Sequence, residues 1–356
     1  MVSFSIFRME NLRRAFPKKV EWLNSLKLRA SWGLTGNNDI ANYSFMNKLS
    51  SANYSFGSNN GTVTAGLANV TPVIANRDIT WEQSSEYNYG FDLSVLNNRI
   101  NLSAEYYYSE TIQMLYEQTA LSITGFQNFW NNIGKVANKG FEFELRTLNL
   151  NKKNFQWESS FNLSLNRNEL LDLAGEVRQI NYGERQEGYL AEVGHPSIQY
   201  YLYKTIGVWK SQEEIDANPH HTNDKPGGLR VWDADGNGEI TDADRVPCGT
   251  PFPDFTWGFT NTFNFYGFDV NILLQGTQGG KLFNGDGYYN ETWKFNKEFK
   301  DTNYWITPNN PGDGKTPYQM VGIDPELTDY LLEDASYWSI KDIVIGYKFP
   351  KPYPKS

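Results

Sequence analysis

The residues best arranged to do chemistry lie in one acidic stretch, Asp233-Ala234-Asp235-Gly236-Asn237-Gly238-Glu239-Ile240-Thr241-Asp242-Ala243-Asp244. It fits the 12-residue calcium loop of the EF-hand type. Oxygen donors fall at positions 1, 3 and 5 (Asp233, Asp235, Asn237), Gly238 supplies the sharp turn at 6, and Glu239 offers a backbone carbonyl at 7. Position 12 is Asp244, one methylene shorter than the usual Glu, which shortens its bidentate reach. Long flanking helices are missing; upstream, only Ser211–Ala217 reads as helical, opening with a capping-box-like Ser211 and Glu214. The ion expected here is a structural calcium that holds an exposed loop. The alternative is an acidic, glycine-rich turn without an ion.

Other candidate groups point to no reaction. His220 and His221 sit beside Asn223 and Asp224 in a polar stretch that reads as an exposed loop before a metal site. Glu142 and Glu144 could be a glycosidase pair, but their spacing puts both on the same wet face of one strand, where they line a surface. No GxSxG, HExxH, P-loop or dinucleotide fingerprint occurs. The single cysteine, Cys248, cannot make an internal disulfide. Tyr200, Tyr201, Tyr203, Trp209, Trp232, Tyr288, Tyr289 and Trp293 could stack on sugar rings or pack a loop core. The chain therefore reads as a binding or transport protein and not as an enzyme.

The elements that must carry these residues are strands. The 356 residues include 11 Trp, 22 Tyr and 22 Phe, yet only 39% are hydrophobic and the mean hydropathy is -0.58. A transmembrane β-barrel reconciles these values, because each strand gives only alternate residues to lipid and aromatic girdles mark both interfaces. No run of apolar residues is long enough for a transmembrane helix. The net charge of -9, without a basic cluster, argues against a nucleic-acid partner.

Strict alternation runs through the chain. Phe255, Trp257, Phe259, Phe263 and Phe265 alternate with Thr256, Gly258, Thr260, Thr262 and Asn264, which places the rings on one strand face and the small polar groups on the other. Tyr266 and Gly267 then turn the chain into Phe268, Val270, Ile272 and Leu274. The same pattern marks strands around Leu26–Leu34, Tyr87–Val95, Ile100–Tyr108, Phe141–Leu145, Phe155–Leu165 and, less regularly, Trp338–Phe349, with a partial one near Val2–Phe7. Short turns fall around Asn97, Asn151 and Gly267, and long connections cover 36–84, 110–132, 167–253 and 277–336. Short turns alternating with long loops is the outer-membrane pattern, short ones periplasmic and long ones outside. Parity then requires an even number of crossings within 167–253, and zero is the simplest, so the strand-like run Tyr200–Trp209 is expected in an extracellular excursion outside the wall.

The stretches Leu26–Asn38, Trp81–Leu93, Asn132–Leu145, Leu229–Arg245, Thr250–Gly276 and Ala335–Pro350, in this order and distributed over nearly the whole chain, resemble the SusC/RagA-like TonB-dependent transporters of Bacteroidetes outer membranes. The resemblance implies an all-β fold, an antiparallel transmembrane β-barrel of 22 strands, of which about nine are legible here. It also implies a preceding plug domain, a SusD-like surface lipoprotein as a lid, the TonB-ExbB-ExbD complex as the energy source, outer-membrane lipid around the wall, and a glycan or peptide as cargo. Residues 1–356 then form one partial barrel domain, with the plug and the last strands expected beyond it. A soluble carbohydrate-binding β-protein and a passive porin are the alternatives. Met1 to Arg14 carry no signal-peptide pattern, as expected if the start of the protein lies further upstream.

Overall fold

The computed structural model describes residues 3–9, 22–39, 42, 46, 50–56, 62–68, 73–121, 123, 126, 128–183, 187–285, 303–318 and 322–349. Nine strands form one sheet: β1 (Ser3–Met9), β2 (Leu23–Asn37), β3 (Glu82–Val95), β4 (Ile100–Ile112), β5 (Lys135–Lys152), β6 (Phe155–Asp172), β7 (Phe255–Phe265), β8 (Phe268–Gln278) and β9 (Tyr337–Tyr347). Their order across the sheet is their order along the chain, and every pairing is antiparallel. This is the up-and-down wall of a partial barrel.

Turn chemistry sets the register. Tyr266 (φ 47°) and Gly267 (φ 90°) both lie in the left-handed region, and Phe265 faces Phe268 across them. Two positive φ values in a two-residue loop match the right-handed twist of the flanking strands. Leu96, Asn97 and Asn98 take positive φ between β3 and β4. The third short turn corrects the sequence reading: it is Lys153–Asn154, with Lys152 opposite Phe155, and not Asn151. A β-bulge misled the alternation there. Leu148 pairs with Glu158 and Leu150 with Trp157, so Asn149 is an inserted residue that shifts the phase. A second bulge at Lys341 puts Ile340 and Ile343 on one face despite a spacing of three, which explains the irregular last strand.

The strands are also longer than the alternating runs suggested. β5 and β6 each have 18 residues and stay paired as far as Lys135 and Asp172. The long connection therefore starts at 173 and not at 167. The remaining connections are not bare loops. Ser50–Phe56 pairs with Thr62–Ala68, and Leu115–Thr119, Asn128–Asn132 and Val73–Ile74 form a small sheet.

Register places one apolar and one polar face on the wall. The apolar face carries large exposed side chains: Tyr89, Trp338 and Ile345 are 53%, 70% and 67% exposed. On β6 its apolar stretch runs from Phe155 to Leu165. Ten steps of about 3.3 Å, tilted by about 40°, rise roughly 25 Å, the height of an outer-membrane apolar band. Rings mark its lower edge: Phe155, Phe265, Phe268 and Tyr347 follow one another at 6.4, 5.7 and 4.6 Å. Beyond Leu165 the same face turns charged, with Lys139 opposite Arg167 and ion pairs Lys139–Glu169 and Arg167–Asp254. Polar groups inside the band are tied to each other. Trp157 Nε1 and Ser159 Oγ donate to Asn261 Oδ1, and Asn149, the bulge residue, donates to Ser159 Oγ. Hydrocarbon demands such pairing. No helix among the described residues is long and apolar enough to cross a membrane.

The buried core lies elsewhere. Trp209, Leu190, Leu202, Ile215, Leu229, Thr328 and Asp244 are the largest fully buried side chains, and all belong to the connections β6–β7 and β8–β9. The first connection builds a four-stranded sheet from Arg178–Tyr182, Gly188–Glu192, Gln199–Tyr203 and Arg245–Pro247, and a ribbon from Thr205–Val208 with Leu229–Val231. None of these strands joins the wall; the run Tyr200–Trp209 pairs within this unit and, through a Tyr203–Thr328 bridge, with the second connection. Helix α1 (Gln212–Asp216) is capped by Ser211, whose Oγ accepts from the Glu214 N–H, while the Glu214 carboxylate accepts from the Lys210 N–H. The second connection supplies the other half of the core. Ile323 and Leu327 pack on Tyr203, Val231 and Ile240, and Asp329 accepts from both the N–H and the hydroxyl of Thr205.

Candidate functional site

Two surfaces meet at the long-connection end of the wall: the polar face of the sheet and the module built from the two connections. The polar face carries a charge network. Arg29 reaches from β2 across β3 to β4, pairing with Glu105 at 2.7 Å and Asp92 at 3.1 Å and donating to Ser103 at 3.1 Å. Gly90 makes room for it, since a Cβ there would stand 3.1 Å from Nη2. Lys27 adds to Asp92 at 3.4 Å, and Asn88 donates to Glu105. Glu142 lies directly opposite Glu105, and Glu144 opposite Ser103. Both sequence-singled glutamates thus stand on the polar face.

The module is fastened over this same face. Val136 and Leu170 occupy polar-face positions at the end of β5 and β6, where they pack on Leu173, Met114, Ala191 and Val193. The Leu170 N–H donates to His195 O, and the Gly194 N–H donates to Leu170 O, both at 2.8 Å. The Ser197 N–H donates to Asn168 Oδ1. An apolar pair at the top of an otherwise polar face thus becomes the anchor of the module.

Inside the module, Arg245 lies between the rings of Tyr182 and Tyr203, 5.4 and 5.2 Å from their centroids, and burial pushes the Tyr203 phenol above its ordinary value. Arg230 covers the Trp209 ring at 4.7 Å and pairs with Glu214 at 2.8 Å. The Trp209 Nε1–H donates to Asp224 Oδ2 at 3.0 Å. Burial raises the Asp224 carboxyl above its ordinary value. His220 is exposed, and His221 contributes its backbone N–H to Asp224. Cys248 is pushed up to about 11, chiefly by burial.

The stretch Asp233–Asp244 closes the Ile240 side of the module. Carboxylate oxygens of Asp233, Asp235 and Asp244 come within 4.8 Å of one another. Asp233 accepts from the N–H groups of Gly236 and Gly238, both in the left-handed region at φ 72° and 90°. Asp244, fully buried, accepts from Ala234 at 2.8 Å and Thr241 at 2.7 Å. Asn237 turns its amide toward Asp235 and the Glu239 N–H, and the Glu239 side chain is exposed. Asp244 Oδ1 also accepts from the Asp235 N–H at 3.4 Å, whereas the oxygens of Asp233 and Asp235 and Asp244 Oδ2 accept one bond each and keep a second lone pair. The donor set is all oxygen, suited to a hard divalent cation.

Of the loop aromatics, Tyr200, Tyr201, Tyr203 and Trp209 are buried and pack the module, whereas Trp232 is 44% exposed. Tyr288, Tyr289 and Trp293 lie outside the described residues. Sequence reasoning missed the share of the second connection in this core. Its only signal was a short apolar group around Ile323, Leu327 and Leu331.

No family model matches the chain. It is 33% identical over 347 residues to the TonB-dependent receptor P26 of Formosa agariphila, covering 94% of this chain and 34% of the relative. It is 25% identical over 354 residues to the TonB-dependent receptor SusC of Bacteroides thetaiotaomicron, covering 94% of this chain and 32% of that protein. In fold it matches the structure of the RagAB peptide transporter with a TM-score of 0.78 at 23% identity, over 98% of this chain and 36% of that one. The chain spans about a third of the length of these relatives. Likeness over nearly its whole length makes this chain a stretch of a SusC/RagA-like TonB-dependent receptor.

Proposed function

We propose that the chain forms part of the wall and the loops of an outer-membrane active transporter. Such a transporter imports oligosaccharides or peptides with a SusD-like lipoprotein as lid and TonB as energy source. The observation that carries this reading is the wall itself: an apolar band roughly 25 Å high on one face and a polar face on the other, overhung by a folded module. A polar face beside an anchored module is suited to guiding a hydrated oligomer, and nothing in the proposed cycle requires covalent chemistry. The module then stands outside the cell, and the loop Asp233–Asp244 holds a structural calcium ion there, where millimolar affinity suffices.

The test uses the full-length protein in its own cells. Membrane fractionation should place it in the outer membrane, and its deletion should abolish growth on at least one member of a panel of oligosaccharides and peptides. Loss of TonB should reproduce that defect. A soluble protein, or growth on the whole panel unchanged by the deletion, would overturn the proposal.

A further inference from the structure

The polar face is not charge-balanced. Across β2 to β8, register assigns eight carboxylates and three cations to it, a net of five negative charges. All three cations are consumed within the wall. Lys27 and Arg29 serve Asp92 and Glu105, and Arg146 serves Glu144. Glu82, Glu86, Glu142, Glu158 and Asp269 sit on the same face, and none makes an ion pair with a described residue. Glu142 even stands directly opposite Glu105, an arrangement of like charges that destabilises a sheet. The opposite face differs: there Lys139 and Arg167 are each matched by a carboxylate.

A wall with a net negative charge raises the local concentration of cations and repels anions. We infer that this polar face is an anion-excluding lane, so the cargo it passes is a neutral or cationic oligomer and not a polyanion. The inference rests on the transport reading above and narrows its cargo class. Between the charged positions, Thr260, Thr262, Asn162 and Asn271 offer neutral hydrogen-bonding groups on the same face, which suit hydroxyl- or amide-rich chains without demanding charge.

The test is ion selectivity of the full-length protein in planar bilayers, with urea present to open the lumen and a potassium chloride gradient across the membrane. The reversal potential should give a potassium-to-chloride permeability ratio severalfold above one. Glu86→Gln, Glu142→Gln and Glu158→Gln combined should bring the ratio toward one, and Glu142→Lys alone should lower it. Migration on gels with and without heating confirms that each variant forms its barrel. Conducting channels with a ratio at or below one, or a ratio that the substitutions do not move, would refute the anion-excluding lane while leaving the transport reading intact. No channel at all would remove the barrel reading, and this inference with it.

Discussion

Replacing Phe161 by Arg separates a lipid-facing wall from a water-facing one. Phe161 lies on the apolar face of β6, with the rings of Phe143 and Phe259 at 6.3 and 6.5 Å. It is six steps above Phe155 and four below Leu165, which at about 3.3 Å per step and a tilt near 40° puts it about 15 Å above the lower edge of a band roughly 25 Å high. That is close to the midplane. Arginine there should destabilise the folded barrel by about 2–4 kcal/mol, whereas Leu165→Arg, on the same face two residues before Arg167, should cost about 0–1 kcal/mol. Asn162→Arg, on the polar face, should stay within about 0.5 kcal/mol. The assay is reversible urea unfolding of the full-length protein in phospholipid vesicles, followed by tryptophan fluorescence. If Phe161→Arg and Leu165→Arg cost the same, or if neither exceeds Asn162→Arg, this face does not lie in hydrocarbon and the depth argument is wrong.

The module offers three further checks. Burial raises the Asp224 carboxyl, so its contribution to stability is complete at acid pH, below the ordinary carboxylate range, and is lost as pH rises through the raised folded value. Asp224→Asn should therefore leave the module as stable or more stable at neutral pH and flatten that dependence, read as protease resistance against pH; a strong loss at neutral pH would show that the charged form is favoured. Calcium should slow proteolysis within 233–244 in the wild type and not in Asp233→Asn with Asp235→Asn, and equal rates with calcium or chelator in the wild type would dismiss the ion. Cys248, pushed up to about 11, should alkylate slowly at neutral pH until the module unfolds, and rapid labelling of the folded protein would contradict its burial.

What could be read from the chain and what could not follow from the range of the forces involved. Alternation is a local property: Phe255 to Phe265 declare two faces because successive side chains of any strand point to opposite sides. Tyr266-Gly267 and Leu96–Asn98 likewise carry their own turn chemistry. Nine strands, their neighbours and the acidic loop were therefore legible without coordinates. Bulges are less local, because Asn149 and Lys341 are identified as inserted only against a partner strand, and the Asn151 turn was misplaced for that reason. Of the module, the sequence placed the excursion outside the wall and its short helix, but not the partner that completes its core. Its core joins Tyr203 and Val231 to Ile323 and Leu327 across more than 90 residues, contacts that no period announces. The surplus charge of the polar face is of the same kind, since each glutamate looks like ordinary strand decoration until register sets Glu142 against Glu105 and assigns Arg29 elsewhere. Sequence alone determined the wall because a strand's facing is set residue by residue. Only the tertiary structure decided what overhangs that wall and which of its charges go unpaired, because burial and ion pairing depend on groups that the chain brings together from far apart.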